Sequence, residues 1–300
     1  MTEGRERVIE AGGRRVRVGH ADKVLFPDAG ITKYELADYY RRIAPTALRH
    51  CRDRAATLHR YPDGIEEAGF FQKQIGDHFP DWIDRVTLKK QDGEVCHVVA
   101  NTASTLVYLA DQGCITLHLA LARNDRPDHP DRMIFDLDPS DRDFSKVRRT
   151  ALCLKKHLDR LELYAHVQTT GSSGLHIVVP LDREAGFDTV REFAHAFCRQ
   201  IAETAPDLIT TEHRKKDRGG RVFLDYLRNA RGQTAVAPYA VRARTGAPIA
   251  TPIRWSEVNQ DLDPRRYHIG NIFRRLGQID DPWRDIARHA CRLPSIDAIA

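Results

Sequence analysis

The sequence predicts an α+β protein, and three observations lead to this class. Residues 5–19 alternate basic and apolar side chains in the manner of a β-hairpin that turns at Gly12-Gly13. Short apolar runs that end in turn residues, such as Leu175–Pro180, are typical of strands. Between them, apolar residues recur at helical spacing over about 33–48, 143–161 and 187–204. Strands and helices are therefore both expected along the whole chain.

Composition places the chain among ordinary globular proteins. It has 300 residues, 41% hydrophobic and 30% charged, a length that fits one large two-lobed domain or two small ones. No apolar run approaches the roughly 18 residues that span a bilayer, and the N-terminus lacks the apolar core of a signal peptide. The six cysteines form no Cys-x-x-Cys pair, so we expect reduced thiols in a cytoplasmic protein that contacts no membrane. The net charge of +5 indicates a nucleic-acid partner only if the positive charge is clustered.

Two lysines lie near the predicted start of the first long helix. Thr32 is a good N-cap for a helix from about Lys33 to Leu48, which Pro45 is expected to kink or divide. Lys23 and Lys33 flank this cap, and a helix N-terminus with nearby lysines suits a phosphate group. Two solvated surface lysines would give the same pattern.

A pair of aromatic residues follows the next strand. After a strand at about 55–61 and the turn Pro62-Asp63-Gly64, Phe70 and Phe71 stand next to each other. Adjacent side chains of a strand point to opposite faces, so at most one of them belongs to the core. The other is free to stack on a nucleic-acid base. A strand near 94–100, a helix over about 102–112 and a strand ending on His118 come next, and a lone histidine there is typical of a structural residue.

The strongest chemical signal is a strand that ends in two acids. In Arg132–Pro139, Asp136 and Asp138 project to one face of the strand, whereas Leu137 points into packing. Adjacent carboxylates repel each other unless a cation lies between them, and Mg²⁺ or Mn²⁺ prefers such oxygen ligands. The alternative is a strand end whose acids are solvated or cap the next turn.

Three further features point to phosphate chemistry. The loop 170–174, Thr-Gly-Ser-Ser-Gly, offers backbone N–H groups and hydroxyls to phosphate oxygens, and His176 follows on the next strand. The run 213–221 contains five Lys or Arg residues and leads into an apolar strand that carries a third acid, Asp225. Three carboxylates, an anion-binding loop and a basic run together favour a two-metal phosphoryl-transfer site. The tail from about Pro264 is expected to be helical and rich in arginine.

These motifs give the chain a resemblance to the polymerase domain of bacterial ligase D, a family of the archaeo-eukaryotic primase superfamily. The similarity covers roughly residues 15 to 290 in one order. It is carried by Ala21–Pro27, Gly69–Gln74, Asp136–Pro139, Thr169–His176, Phe223–Asn229, Thr234–Tyr239 and Ala250–Trp255.

The resemblance implies a single two-lobed primase-polymerase fold with mixed or antiparallel sheets flanked by helices. Its N-terminal lobe would span about 1–130, and a catalytic lobe of about 131–300 would contain a half like an RNA-recognition motif. The implied enzyme is a template-directed nucleotidyltransferase of the bacterial cytosol and nucleoid. It would add ribonucleotides or deoxyribonucleotides to primer 3′-hydroxyls at DNA ends and short gaps, in end joining with Ku and a DNA ligase or in gap-filling repair.

Site residues follow from the same resemblance, position by position. Two Mn²⁺ or Mg²⁺ ions would be held by Asp136, Asp138 and Asp225. The residues implied around the incoming NTP or dNTP are Thr170, Ser172, His176, His118 and Arg242. Those implied to contact DNA, with Lys23 and Lys33 on a downstream 5′-phosphate, are Lys23, Lys33, Phe70, Phe71, Lys216 and Arg221. Many relatives have a lysine where this chain has Ser173, and often an asparagine where it has His20.

Two other classes of protein share part of this pattern. A non-catalytic nucleic-acid-binding module explains the basic and aromatic residues but leaves three acids unexplained, since acids repel DNA without a metal. A metal-dependent nuclease or phosphohydrolase explains the acids but has less need of a triphosphate-binding loop. The sequence also leaves open whether the chain is a stand-alone enzyme or a domain of a larger ligase.

Overall fold

The computed structural model of the chain describes residues 5–90 and 92–299, and both strands and helices occur along them, as predicted. The strands are β1 (Arg7–Ala11), β2 (Arg14–Val18), β3 (Val24–Phe26), β4 (Ile31–Thr32), β5 (Ala55–Arg60), β6 (Phe70–Gln72), β7 (Arg85–Lys90), β8 (Gly93–Val99), β9 (Cys114–Ala120), β10 (Arg132–Asp138), β11 (His166–Thr169), β12 (Leu175–Pro180), β13 (Ile209–Thr210), β14 (Val222–Asp225), β15 (Thr234–Val236) and β16 (Thr251–Ile253). The helices are α1 (Lys33–Cys51), α2 (Ala103–Asp111), α3 (Phe144–Arg160), α4 (Phe187–Thr204) and α5 (Ile272–Leu276).

The chain divides into two units, and neither is one continuous stretch of sequence. Unit 1 comprises the described residues up to Ala120, together with Thr234–Ala250 and Tyr267–Ile279. Unit 2 comprises Leu121–Gln233, Thr251–Arg266 and the described residues from Asp280 onward. The single boundary predicted near residue 130 therefore describes the chain only in part. The later segments return to unit 1 because strand β15 pairs with β9, a long-range pairing that no local pattern shows.

Unit 1 is built on a sheet with the strand order β15-β9-β5-β8-β7. Strand β9 pairs with β5 along one edge, and β8 and β6 share the other edge of β5. Helices α1 and α2 pack against each other and against the predicted hairpin β1–β2. Apolar side chains of these elements, including Leu36, Ile43 and Leu106, are buried in one core.

Helix α1 begins at the residue that the sequence predicts. The Thr32 hydroxyl accepts the N–H of Glu35 at 3.3 Å, and the Glu35 carboxylate accepts the N–H of Thr32 at 2.7 Å, which forms a capping box. The helix runs without interruption through Pro45 to Cys51, so the predicted division does not occur. Buried side chains on both sides of the proline, among them Ile43 and Leu48, outweigh its cost of about 3 kcal/mol.

Unit 2 is built on the order β10-α3-β11-β12-α4-β14, a βαββαβ arrangement. Its sheet has the order β13-β14-β10-β12-β11-β16, and every pair is antiparallel except β13 with β14. The four inner strands thus follow the RNA-recognition-motif order that the family resemblance implies. Strand β10 lies at the centre, between β12 and β14.

The two faces of strand β10 have different roles. The helical side receives Phe135, whose ring lies 5.2 Å from that of Phe197 on α4, and Leu137 is fully buried. Asp136 and Asp138 alternate with these residues and therefore belong to the opposite face. The apolar face fixes the register, because a slip of one residue would turn the acids into the core.

The tail differs from the prediction. In the described part of the chain beyond Pro264, helical structure is limited to α5 and two short 3-10 turns, Ile286–His289 and Ile296–Ile299. Gly270, Gly277 and two prolines, at 282 and 294, interrupt this segment and prevent a long helix. None of the described helices has both the length and the apolar character that a bilayer-spanning segment requires.

Candidate active site

Strand pairing in unit 2 gathers the acidic side chains on one face of the sheet. Asp136 lies directly opposite Asp225 on one side and opposite His176 on the other. Directly paired residues of neighbouring strands point to the same face, and Asp138 follows Asp136 by two positions. The structure therefore brings together the three predicted metal-binding acids and the predicted histidine, although 89 positions separate Asp136 from Asp225 (225 − 136).

Arg228 bridges two of the acids and was not among the predicted site residues. Its Nε lies 3.4 Å from Oδ2 of Asp136 and 3.7 Å from Oδ2 of Asp225. A 3-10 turn over Leu227–Asn229 brings the guanidinium back towards Asp225, and the N–H of Leu227 donates to Asp225 Oδ1 at 2.7 Å. The i,i+3 spacing of an acid and an arginine after a strand was the only sequence signal for this contact.

The carboxyl groups differ in how their surroundings affect their charge. Burial raises the pKa of Asp136, but His176 and Arg228 outweigh it, so that this pKa lies below its ordinary value. Burial and the charge of Asp136 raise the pKa of Asp138 to about 6. The pKa of Asp225 is also raised, chiefly by burial. Asp138 and Asp225 thus need more positive charge than Arg228 and the nearby histidines supply.

A divalent cation would supply that charge. Within residues 5–90 and 92–299, no group of three or more acidic, histidine or cysteine side chains is arranged so that it could hold a metal ion by itself. Mg²⁺ and Mn²⁺ in nucleotide enzymes are commonly held by one or two carboxylates, with water and substrate phosphates as the other ligands. The acidic cluster fits such a partial ligand set, because two of its carboxyl groups have raised pKa values beside a third that is ionised.

His176 is buried and held from both sides. Its Nε2 lies 3.4 Å from Oδ1 of Asp136, and its Nδ1 lies 3.3 Å from Nε2 of Gln168. Gln168 is paired with His176 across β11 and β12, which explains why the two side chains meet. No pattern in the sequence points to Gln168, since this contact depends on the register of two strands. The arrangement fixes the imidazole ring with one nitrogen towards the acids.

The Gly/Ser loop is organised by its first residue. The Thr170 hydroxyl accepts the N–H groups of Ser172 at 3.3 Å and Gly174 at 3.2 Å, and donates to the Gly174 carbonyl at 3.1 Å. Of the two predicted nucleotide-binding residues in the loop, Thr170 therefore holds the loop closed, and Ser172 is partly exposed. The Ser172 carbonyl also accepts a hydrogen bond from Arg265 Nε at 3.0 Å.

Gly174 places this loop against the acidic strand. A Cβ atom built on Gly174 would overlap the carbonyl oxygen of Leu137, and Asp138 Oδ1 would lie 3.8 Å from it. Only a glycine allows so close an approach of two backbones. The loop and the acids are consequently neighbours in unit 2, which a phosphate-binding loop beside a metal site requires.

The basic run forms a compact segment in which the two predicted DNA contacts differ. Arg221 donates from Nε to the Arg218 carbonyl at 2.8 Å and from a terminal nitrogen to the Asp217 carbonyl at 3.3 Å. These hydrogen bonds hold the segment together and occupy the guanidinium. The Lys216 side chain is exposed. The segment is anchored near the acidic strand by Ser140, whose hydroxyl donates to the Arg221 carbonyl.

In unit 1, the two predicted phosphate-binding lysines lie side by side. The Lys33 N–H donates to the Lys23 carbonyl at 2.8 Å across the β3–β4 pair. Lys23 Nζ contacts the exposed Asp63 carboxylate at 2.5 Å, and Lys33 Nζ lies 3.5 Å from Asp111 Oδ1 in a more buried pair. A phosphate that binds here must replace these carboxylates, which costs little for an exposed ion pair such as that of Lys23.

The other predicted residues of unit 1 belong to its sheet or lie near it. Phe70 and Phe71 are 46% and 60% exposed, so neither is a core residue. The Arg60 guanidinium lies 5.4 Å from the centre of the Phe70 ring. His118 on β9 is half-buried, as is Arg242, whose backbone N–H donates to the Pro248 carbonyl at 2.7 Å.

Comparisons with known proteins agree with this picture. Residues 32–283 match the family model described as the LigD primase-polymerase domain. The multifunctional non-homologous end joining proteins LigD of Mycolicibacterium smegmatis and Pseudomonas aeruginosa are each 33% identical to this chain, over 89% and 95% of its length. The chain spans 35% and 34% of those two relatives. Among solved structures, the polymerase domain from Mycobacterium tuberculosis ligase D in complex with DNA matches with a TM-score of 0.86 at 30% identity, over 92% of this chain and 99% of that one.

Proposed function

Because the chain belongs to the family of LigD primase-polymerase domains, we propose that it extends primer 3′-hydroxyls at DNA ends and short gaps during double-strand-break end joining. Family membership makes it a DNA-directed nucleotidyltransferase, and this excludes the alternative of a non-catalytic nucleic-acid-binding module. In this proposal the substrate is gapped DNA, the added units are ribonucleotides or deoxyribonucleotides, and the two metal ions are Mn²⁺ or Mg²⁺. Ku and a DNA ligase are the proposed partners, and gap filling in repair is a further use of the same chemistry.

The observation that carries the proposal is the arrangement of acids and loop in unit 2. Asp136, Asp138 and Asp225 share one face of the sheet, and Gly174 brings the Gly/Ser loop into contact with the strand between two of them. Phosphoryl transfer depends on positioning and on neutralising the charge of the phosphates. A cluster of acids beside an anion-binding loop supports such a reaction, because Asp136, Asp138 and Asp225 would hold metal ions that supply the charge to neutralise a triphosphate.

Each residue then has a role in one step, the transfer of a nucleotide to the primer. The primer 3′-oxygen forms a bond to the α-phosphorus, the bond from that phosphorus to the pyrophosphate leaving group breaks, and the 3′-hydroxyl proton passes to solvent. Asp136, Asp138 and Asp225 would hold the divalent ions, which neutralise the phosphates and lower the pKa of the attacking hydroxyl. His176 keeps Asp136 in place, and the Leu227 N–H orients Asp225.

Primer extension on a gapped template tests the proposed function. We expect the chain to lengthen a labelled primer when it is given Mn²⁺ and one complementary nucleotide, and the double variant Asp136→Ala/Asp138→Ala to add none. Shortening of the primer would instead identify a nuclease. Binding without any turnover, in Mn²⁺ and in Mg²⁺, would refute the proposed reaction.

Lys23 offers a test of the proposed 5′-phosphate contact. We expect Lys23→Ala to slow extension into a 5′-phosphorylated gap by about tenfold. The slope of log affinity against log salt concentration should fall by about one, the value for one phosphate contact. An unphosphorylated gap should be used about as well as by the wild type. The measurement is the rate of single-nucleotide addition on both gaps at several salt concentrations.

A matched lysine provides the control for this variant. Lys155 forms a comparable surface ion pair with Asp159 in unit 2, and its side chain is 31% exposed against 35% for Lys23. Lys155→Ala should leave the preference for the phosphorylated gap unchanged. Equal loss by Lys23→Ala on both gaps would contradict a role for Lys23 in binding the 5′-phosphate.

A further inference from the structure

Four aromatic rings form a contiguous cluster beside the unit 1 sheet, those of His59, Phe71, His118 and Tyr61. The Tyr61 ring lies 4.6 Å from that of His59, with the planes tilted by 50°. The His59 ring stacks on the Phe71 ring, with centroids 4.0 Å apart and planes 16° from parallel. The His118 ring meets the same Phe71 edge-on at 5.6 Å. The register explains the cluster, because His59 lies opposite Phe71, and His118 lies opposite Thr57, two positions before His59.

His59 is central to this cluster, although the sequence pattern did not single it out. Phe71 is a proposed template contact, and His118 a proposed nucleotide contact; His59 is next to the first and 6.4 Å from the ring centre of the second. Burial lowers the pKa of His59, and the nearby charges of Arg242 and Arg244 lower it further. At neutral pH the ring is consequently an uncharged aromatic surface and not a phosphate-binding cation.

The structure also shows why Phe71 needs support. Strand β6 has only three residues and pairs with the end of β5, and the Phe71 side chain is 60% exposed. An exposed aromatic ring on so short a strand has several rotamers available. If one rotamer is already fixed in the free protein, base binding does not have to offset the entropy lost in fixing it. A parallel ring beneath it supplies this restraint through stacking.

We propose that His59 is a positioning residue that holds Phe71 as a preformed stacking surface for an unpaired template base. The inference rests on the proposed function, since it takes a single-stranded base as the ligand of Phe71. One face of Phe71 is covered by His59, and a base occupies its other face. His118 limits sideways movement of the same ring, so that template stacking and the nucleotide-contacting histidine are linked through Phe71.

Two substitutions of His59 by residues of similar size distinguish ring stacking on Phe71 from simple filling of space beside it. His59→Phe keeps an aromatic ring under Phe71, whereas His59→Leu fills the space without one. The probe is a gapped duplex with 2-aminopurine at the first template position, a base whose fluorescence is quenched by stacking. We expect His59→Leu to bind this duplex about fivefold more weakly and to lose most of the fluorescence quenching. A fivefold loss is at the lower end of the affinity that stacking of a base on an aromatic residue contributes. His59→Phe should remain within about twofold of the wild type in both.

A double-mutant cycle with Phe71→Leu distinguishes positioning from a direct contact. If His59 acts through Phe71, adding His59→Leu to Phe71→Leu should cause almost no further loss of affinity, so that the two losses are not additive.

Additive losses, or equal losses in His59→Phe and His59→Leu, would overturn the inference. Unchanged quenching in a His59→Leu variant that unfolds at the wild-type temperature would do so as well. If His59→Leu does not fold, a His59→Phe variant that loses affinity and quenching as strongly as Phe71→Leu overturns it. A wild-type chain that extends primers without quenching the base refutes this inference alone, and one that never extends primers refutes the proposed function.

Discussion

Replacing Asp138 with asparagine should abolish nucleotide addition and, at the same time, stabilise the chain in the absence of metal. The acid is largely shielded from solvent and lies near the charge of Asp136, and these two effects raise its pKa to about 6. An ordinary aspartate has a pKa near 3.9, so the ionised form costs the folded chain about 3 kcal/mol at neutral pH. Asparagine has no charge and avoids this cost. Loss of a metal-binding carboxylate should reduce turnover by at least about 10²–10³-fold.

The stabilisation should depend on pH in a defined direction. The folded chain binds the Asp138 proton more tightly than the unfolded chain does, because the folded pKa is the higher one. The cost of the charge is therefore absent below about pH 4, grows as the pH rises from about 4 to 6, and is complete above that. We expect the gain from Asp138→Asn to follow this curve in urea denaturation with a chelator present. A gain that is the same at pH 4 and pH 7.5 would contradict the assigned cause.

Asp136→Asn is the matched variant and should have the opposite effect on stability. His176 and Arg228 stabilise the ionised form of Asp136 and hold its pKa below the ordinary value. Removing the charge removes these attractions and should lower the free energy of unfolding by about 1–3 kcal/mol at neutral pH. Both acids would thus be needed for activity, but replacing Asp138 would stabilise the metal-free chain and replacing Asp136 would destabilise it. If both variants destabilised the metal-free chain equally, the described charge distribution would be wrong.

A second large effect is expected from a single methyl group at position 174. Gly174→Ala should destabilise the chain by about 2–3 kcal/mol, because the new Cβ overlaps the backbone carbonyl of Leu137 and neither backbone can move alone. Leu137 lies between Asp136 and Asp138, so any relief of the overlap displaces the acids. Turnover should therefore fall more than the loss of folded protein explains. Urea denaturation and primer extension at a temperature where the variant is folded measure the two effects.

The adjacent serine is the control for this substitution. Ser173 is exposed in the same loop, and Ser173→Ala should change stability by no more than about 0.5 kcal/mol. A Gly174→Ala variant as stable and active as Ser173→Ala would show that the loop and the acidic strand are not in contact.

Local patterns predicted those parts of the fold whose signal is contained in one element. The strand Leu175–Pro180 and the helix Phe187–Thr204 have the bounds expected from their apolar spacing. The projection of Asp136 and Asp138 to one face follows from the two-residue period of a strand, and the burial of Leu137 fixes which face it is. Asp225 is grouped with them by its place at the end of an apolar strand and by the family resemblance, whereas no local pattern shows the pairing of β10 with β14.

The contacts that sequence reasoning missed all depend on such pairings. Gln168 reaches His176, and His59 reaches Phe71, only because the strands lie in one register. Arg228 was overlooked because its contact with Asp136 crosses from a turn to another strand. The predicted helical, arginine-rich tail does not form a long helix, because its glycines and prolines interrupt it.

The interleaved path of the chain has a consequence for the order in which it can fold during synthesis. The chain passes from one unit to the other after residues 120, 233, 250, 266 and 279. The seven strands and helices from β10 to β14 are contiguous in sequence, so this block can form as soon as Asp225 has left the ribosome. Both sheets still lack an edge strand at that point, because β15 of unit 1 is complete only at Val236 and β16 of unit 2 only at Ile253. The inner strands that carry the acids are therefore expected to acquire protection from proteolysis before the edges of either sheet.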